Sequence, residues 1–339
     1  MEKLPVIKVV GNASDEEKTR IKENIEETYR KSWDILLTDE ELAELLKGEK
    51  PKTPLDSEVI VLVNKVTNEF ILSLGLDTFD LGEENVHILD EKTFIAVAGP
   101  VNAGYCSMAH RAIFLEDVPD LPVLLRVNAI LHEALHFKCF EVQQVFDVYS
   151  RKHSKQLIYS GSFRHGLTVS ENIKHITENE LDYKSHFKGL NEAVVSEIEK
   201  KLLPQIISES KLVPKRPFGK IMTGMAEKII GLPAGEVVFV DEKTISAHSY
   251  RAHRAVLSYV VDSIVEDNQD LTRDEVLTLF FKAHFSGHLL EIARLIEKSF
   301  GQGSFRLLGD MEEDKDSAVK IEKALFEKRL KTRSLTNFV

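Results

Sequence analysis

The segment Leu121-Pro-Val-Leu-Leu-Arg-Val-Asn-Ala-Ile-Leu-His-Glu-Ala-Leu-His136 constrains this chain more than any other. Leu121, Leu124, Leu125, Ile130, Leu131 and Leu135 make it so apolar that a helix formed here must be buried. A buried helix that also carries His132, Glu133 and His136 has to give those polar groups partners. Residues four apart share a helix face, with Cβ atoms about 5–6 Å apart, so the two imidazoles can grip one metal ion. Two nitrogens in this geometry suit zinc. Glu133 projects beside that face, where its carboxylate can hold a metal-bound water as general base without becoming a ligand. The plainer reading, two core histidines and an exposed acid, needs more spare positions than a buried helix offers.

The rest of the 339-residue chain reads as an α+β protein. A strand is expected at Pro5 to Val10, then a helix capped by Ser14, with Ile21, Ile25, Tyr29, Trp33 and Leu36 on one face. Strands are expected at Val59 to Val63, Val86 to Leu89, Thr93 to Ala98 and Arg111 to Leu115, with a glycine-bearing turn from Gly99 to Gly104. The helix with the histidines is expected to start at Asp120 as N-cap, with Pro122 in its first turn, and to run through Leu135 toward Tyr149. A hairpin follows, with arms Ser162 to Ser170 and Asn172 to Thr177, then an amphipathic helix from Gly189 to Leu203. Pro204 to Gly235 is the loosest stretch. Helices are expected at Ser246 to Asp267, Thr272 to Ser286, His288 to Phe300 and Asp316 to Leu330, punctuated by Gly287 and Gly301-Gln-Gly303. This divides the chain into an α/β part (1–203), a connecting segment (204–243) and a helical C-terminal part (244–339).

Charge and cysteine content narrow the function classes. The formal charge is 44 − 55 = −11, which disfavours a phosphate-backbone partner. Cys106 and Cys139 are the only cysteines, too few for a disulfide framework or a cysteine-rich structural zinc site. No run approaches the ~18 uncharged apolar residues of a spanning helix and the start lacks a secretory profile, so a cytoplasmic protein with no membrane partner is expected.

Two histidines leave zinc short of a ligand. The longer motif H-E-x-x-H-x-x-G-x-x-H is ruled out, because Cys139 and Val142 stand where its glycine and third histidine belong. Downstream, Asn191-Glu192-Ala193 opens the expected helix of Gly189 to Leu203. With His132-Glu-Ala-Leu-His136, this resembles the gluzincin metallopeptidases, the thermolysin-like group. The resemblance rests on two short motifs. It implies a zincin-like fold, with an N-terminal mixed sheet, an active-site helix and a mostly helical C-terminal part. It implies one zinc ion held by His132, His136 and Glu192, with Glu133 as base and a peptide or protein as substrate. It further implies that the strand Arg111 to Leu115 is the edge that pairs with extended substrate. The group's pattern places an acid four residues after the ligand glutamate to orient a zinc histidine. That position is Ser196 here, and Glu197 is the neighbouring candidate for the role. The spacing of 192 − 136 = 56 residues between ligands exceeds thermolysin's and requires an inserted hairpin.

Cys106 in Gly104-Tyr-Cys-Ser107 is a rival third ligand, since a thiolate with two histidines also binds zinc. Tyr250 and His253, in Ser249-Tyr-Arg-Ala-His-Arg254, lie within helical reach of one another as donors to an oxyanion, with Tyr250 favoured. His284 and His288 are also four apart, but with Gly287 between them and no companion glutamate they read as solvated or capping residues. The function expected is hydrolysis of peptide bonds by zinc-activated water. A non-catalytic zinc-binding or interaction protein, or a zinc hydrolase of non-peptide substrates, is the alternative.

Overall fold

The computed structural model describes residues 7–11, 13–30, 47–99, 104–107, 111–150, 155–170, 176–177, 180–181, 184–213, 217–240 and 245–336. It is an α+β protein. By contact the chain clusters into two compact units, each discontinuous in sequence. Residues 1–5, 20–138 and 198–249 form the first, and residues 6–19, 139–197 and 250–339 form the second.

The first unit is built on a mixed sheet of strand order β2-β3-β5-β4, comprising β2 (Glu49–Lys50), β3 (Val86–Leu89), β4 (Gly104–Ser107) and β5 (Ala112–Glu116). β3 and β5 are parallel, and the crossover between them carries helix α3 (Glu91–Ala98). Thr93 to Ala98 is therefore helix and not strand. Asp90 caps it by accepting from the Thr93 amide at 2.8 Å, and Phe94 packs with Leu89, Ala112 and Phe114.

Val59 to Val63 is likewise helical, inside α2 (Pro54–Ser73). Thr53 and Asp56 form a reciprocal capping box, the Asp56 amide donating to Thr53 Oγ1 at 3.2 Å and the Thr53 amide to Asp56 Oδ2 at 2.8 Å. Val59, Ile60, Val63, Val66, Thr67, Phe70 and Ile71 are buried, a helical period that the five apolar residues alone did not display.

Helix α4 (Val123–Phe137) packs on β4, β5 and α2. It starts after Pro122, while Asp120 sits in the left-handed region at φ 59° and does not cap it. It ends at Phe137, short of Tyr149, because β6 (Glu141–Ser150) begins there. β6 is rich in β-branched and aromatic residues and pairs on both sides, with β1 (Ile7–Val10) and β7 (Lys155–His165). β5 has neighbours on both sides, β3 and β4, so the expected substrate-pairing edge is not Arg111 to Leu115. The edge is β4.

The second unit holds a five-stranded sheet of order β1-β6-β7-β8-β11, with β8 (Thr168–Ser170) and β11 (Ser185–His186). β7 and β8 form a hairpin within the arm expected at Ser162 to Ser170. Asn172 lies outside the described residues, and β9 (Ile176–Thr177) pairs instead with β10 (Glu180–Leu181). The turn from Pro100 to Ala103, together with Trp33 and Leu36, also lies outside them. Ser14 caps α1 (Asp15–Arg30), accepting from the Glu17 amide at 3.2 Å.

Helix α5 (Lys188–Glu209) is longer than expected and buried nearly all round over its first three turns. Its last turns and α6 (Pro217–Ile230) fill the stretch expected to be loose. β12 (Val237–Val240) and β13 (Ile245–Ala247) pair next, so Ser246 is strand. The helices α7 (Arg251–Asp267), α8 (Arg273–Ser286), α9 (Leu290–Phe300), α10 (Ser304–Gly309) and α11 (Lys315–Thr336) complete the chain. Thr272 caps α8, and Gly287 ends it at φ 73°. Among the described residues no helix is long and apolar enough to cross a membrane.

Candidate metal centre

His132 and His136 lie one turn apart on α4, their ring centroids 5.0 Å apart and edge to face. Glu192 lies in the first turns of α5. Each of the three offers a ligand atom, and these atoms all fall within 4.8 Å of one another. A tetrahedral ion with bonds of about 2.0–2.1 Å holds its ligands roughly 3.4 Å apart, so the three residues form one possible metal-binding group.

The partner of His132 distinguishes this cluster from two stray histidines. Glu199, fully buried on α5, accepts from His132 Nδ1 at 2.9 Å and from His248 Nδ1 at 2.6 Å. Burial pushes the Glu199 carboxyl up, but the hydrogen bonds and charge of His132 and His248 outweigh it and hold the group at about 2. An ionised carboxylate only accepts, so both ring nitrogens facing it carry protons. In the neutral form of His132 the lone pair then falls on Nε2, the nitrogen turned away from Glu199.

The orienting acid is not where the resemblance put it. Seven residues along a helix bring a side chain back to within about 20° of its starting direction, whereas five leave it roughly 140° away. Glu199, seven after Glu192, shares its face. Glu197, five after, points elsewhere and pairs with Arg254 Nε at 2.8 Å. Ser196 is fully buried and its hydroxyl makes no hydrogen bond.

Glu133 is buried beside the cluster residues on α4, and Gly104 at the start of β4 lies against it. A Cβ added at Gly104 would stand 2.9 Å from Glu133 Cγ and 3.0 Å from Oε1. Only glycine lets the edge strand approach that carboxylate so closely. Cys106 lies on the same strand and is not one of the clustered ligands.

Two further side chains fix the elements that carry the cluster. Lys138 caps the C-terminus of α4, and its ammonium donates to Asn64 Oδ1 at 2.7 Å, to the Phe79 carbonyl at 2.8 Å and to Asn68 Oδ1. Burial pushes this ammonium down to about 7, with the Asp80 charge opposing. His284 is fully buried rather than solvated, with Nδ1 3.1 Å from Asn191 Oδ1, which also accepts from the Leu167 amide at 3.0 Å. This ties the residue before Glu192 to the β7–β8 turn. His288 is exposed.

Tyr250 and His253 differ in what they can still offer. His253 is 2% exposed and its Nε2 donates to the Glu312 carbonyl at 2.8 Å. That bond takes up one ring nitrogen, and Nδ1 has no hydrogen-bond partner among the described residues. Tyr250 precedes α7 in the left-handed region at φ 54°, its ring edge-on to His253. Such a backbone is costly for an aromatic residue and concentrates at functional positions.

Glu199, His248, Gly104 and Lys138 were missed in the sequence. Of these, only Glu199 had a signal, its seven-residue spacing from Glu192. Comparison with protein-family models, with curated proteins and with solved structures finds no match to this chain in any of the three.

Proposed function

We propose that this chain is a zinc-dependent metallopeptidase of gluzincin type with a zincin-like fold. The observation that carries the reading is the His132, His136 and Glu192 cluster with Glu133 beside it and Glu199 behind it. Zinc bound there supplies a Lewis acid that polarises a carbonyl and lowers the pKa of water. Glu133 takes the proton of the attacking water and returns it to the leaving amine. Its carboxylate is aimed by the close packing of Gly104. The Tyr250 phenol donates to the oxyanion as it develops, the role His253 gives up to Glu312. Among the described residues β4 pairs only with β5, and its outer edge takes an extended peptide as an added strand. The zincin-like reading is further supported by a mixed sheet with this edge strand and a buried helix packed on it.

The test is to measure zinc stoichiometry in the full-length protein and cleavage of a mixed peptide library. Glu133→Gln is expected to keep its zinc and lose about 10²–10⁴-fold in cleavage rate. Glu192→Ala is expected to lose zinc. A zinc-loaded protein that cleaves no peptide, or a Glu133→Gln variant as active as the parent, sinks the proposal.

A further inference from the structure

We propose that His248 is a positioning residue of the metal site, acting on His132 through Glu199. The inference rests on the metal reading above and assigns a role to a residue that no motif marks.

Glu199 is a long side chain whose terminal torsion is soft, so one hydrogen bond to His132 leaves its carboxylate free to swing. The second oxygen is taken by His248 Nδ1 at 2.6 Å, which fixes the carboxylate plane and with it the oxygen 2.9 Å from His132. His248 is itself held, 5% exposed and with its amide donating to the Glu236 carbonyl at 2.9 Å. Glu236 in turn accepts from Lys200 at 2.6 Å, one residue beyond Glu199 on α5. The loop after β13 is thereby tied to the same stretch of helix that carries the acid, and the ring cannot drift away from it.

The chemistry follows from donor counting. A buried carboxylate with an imidazole on each oxygen has a defined direction, and each ring turns its Nδ1–H to it. The His132 ring is thereby held in one orientation before any metal arrives. Partners of metal-bound imidazoles change affinity by about 10–100-fold when removed. His248 stands one bond further out, so its loss is expected at the lower end, near tenfold.

The experiment compares wild type, His248→Phe, His248→Gln and Glu199→Ala as full-length proteins, checked for folding without metal. Zinc affinity is read by chelator competition, and imidazole tautomers by long-range proton–nitrogen NMR of the metal-free proteins. Wild type is expected to show His132 as the Nδ1–H tautomer. His248→Phe, which keeps bulk but no donor, is expected to bind zinc about tenfold more weakly and to show mixed His132 tautomers. His248→Gln, which restores an N–H donor, is expected within about threefold of wild type. In the Glu199→Ala background, His248→Phe is expected to add nothing. Unchanged affinity and an unchanged His132 tautomer in His248→Phe overturn the inference, as does an additive loss in the double variant. Should His248→Phe not fold, Glu199→Gln serves as the second reading, since an amide cannot accept from both rings through both of its ends. Tautomers unchanged at both His132 and His248 there overturn the inference equally. A wild type that binds no zinc overturns the metal reading instead, and the NMR arm still decides whether His248 sets the His132 ring.

Discussion

At the scale of single residues, the strongest constraint on chemistry is an absence of atoms. Gly104 has no Cβ, and the space where one would stand is bounded by Glu133 Cγ at 2.9 Å and Oε1 at 3.0 Å. Contacts below 3 Å force something to move, and here the flexible end of Glu133 is the part able to give. Gly104→Ala is therefore expected to leave zinc stoichiometry unchanged while lowering kcat by roughly 10–100-fold, because a displacement of about 1 Å at a reacting group costs that much. Steady-state kinetics and metal analysis on the same sample check it. A variant with wild-type kcat would show that Glu133 is not aimed by β4. Residue-scale legibility in the sequence followed spacing. His132 and His136 are visible because four residues make one turn, and Glu199 is visible in retrospect because seven make two. Glu197 does not meet His132 because nearness in sequence is not nearness on a helix face, and its carboxylate pairs with Arg254. His248 has no spacing to anything, since α6 and a strand pair separate it from α5, and only the folded chain brings it to Glu199.

At the scale of elements, the helices that pack near α4 announce their starts by caps more clearly than by apolar pattern. Within α2, Val59 to Val63 reads as a strand in the sequence because the window is too short to separate a period of 2 from one of 3.6. The signal that decides it lies further upstream, in Thr53-Pro-Leu-Asp56, where a capping box and a first-turn proline both mark a helix start. The same holds for α3, where Asp90 and Thr93 outweigh the β-branched residues after them. Asp56 has a second task, pairing through Oδ1 with Arg126 Nη1 of α4 at 3.1 Å while fully buried. The Thr53 side chain thus helps hold the acid that joins the two helices. Thr53→Ala is expected to cost about 1–2 kcal/mol, above the middle of the range for an exposed cap, because Asp56 loses a buried partner as well. Chemical denaturation with an unchanged slope checks it. A loss below about 0.3 kcal/mol would mean that Pro54 and the packing of Val59, Ile60 and Val63 suffice to start the helix.

At the scale of the whole molecule, the composition supplies a soft frame and the cluster supplies a stiff point. An excess of eleven acids, together with described helices none of which can cross a membrane, says little about what sets the stability of the native state. A ligand that binds only the folded chain adds RT ln(1 + [L]/Kd), about 2.7 kcal/mol at a hundredfold excess over Kd. For compact units of ordinary size each kcal/mol moves Tm by roughly 2–4 °C, so saturating zinc is expected to raise the transition that unfolds α4 by about 5–10 °C. Zinc held by unfolded histidines and cysteines subtracts from this, which makes the figure an upper one. The shift separates site binding from surface binding through its dependence on residues. It is expected to persist in Glu133→Gln, because that side chain accepts no metal bond, and to fall below about 2 °C in Glu192→Ala, where two imidazoles alone face the ion. Calorimetry with and without zinc on the three proteins checks it. An equal rise in wild type and Glu192→Ala would place the bound metal elsewhere and leave the His132, His136 and Glu192 cluster as a packing arrangement.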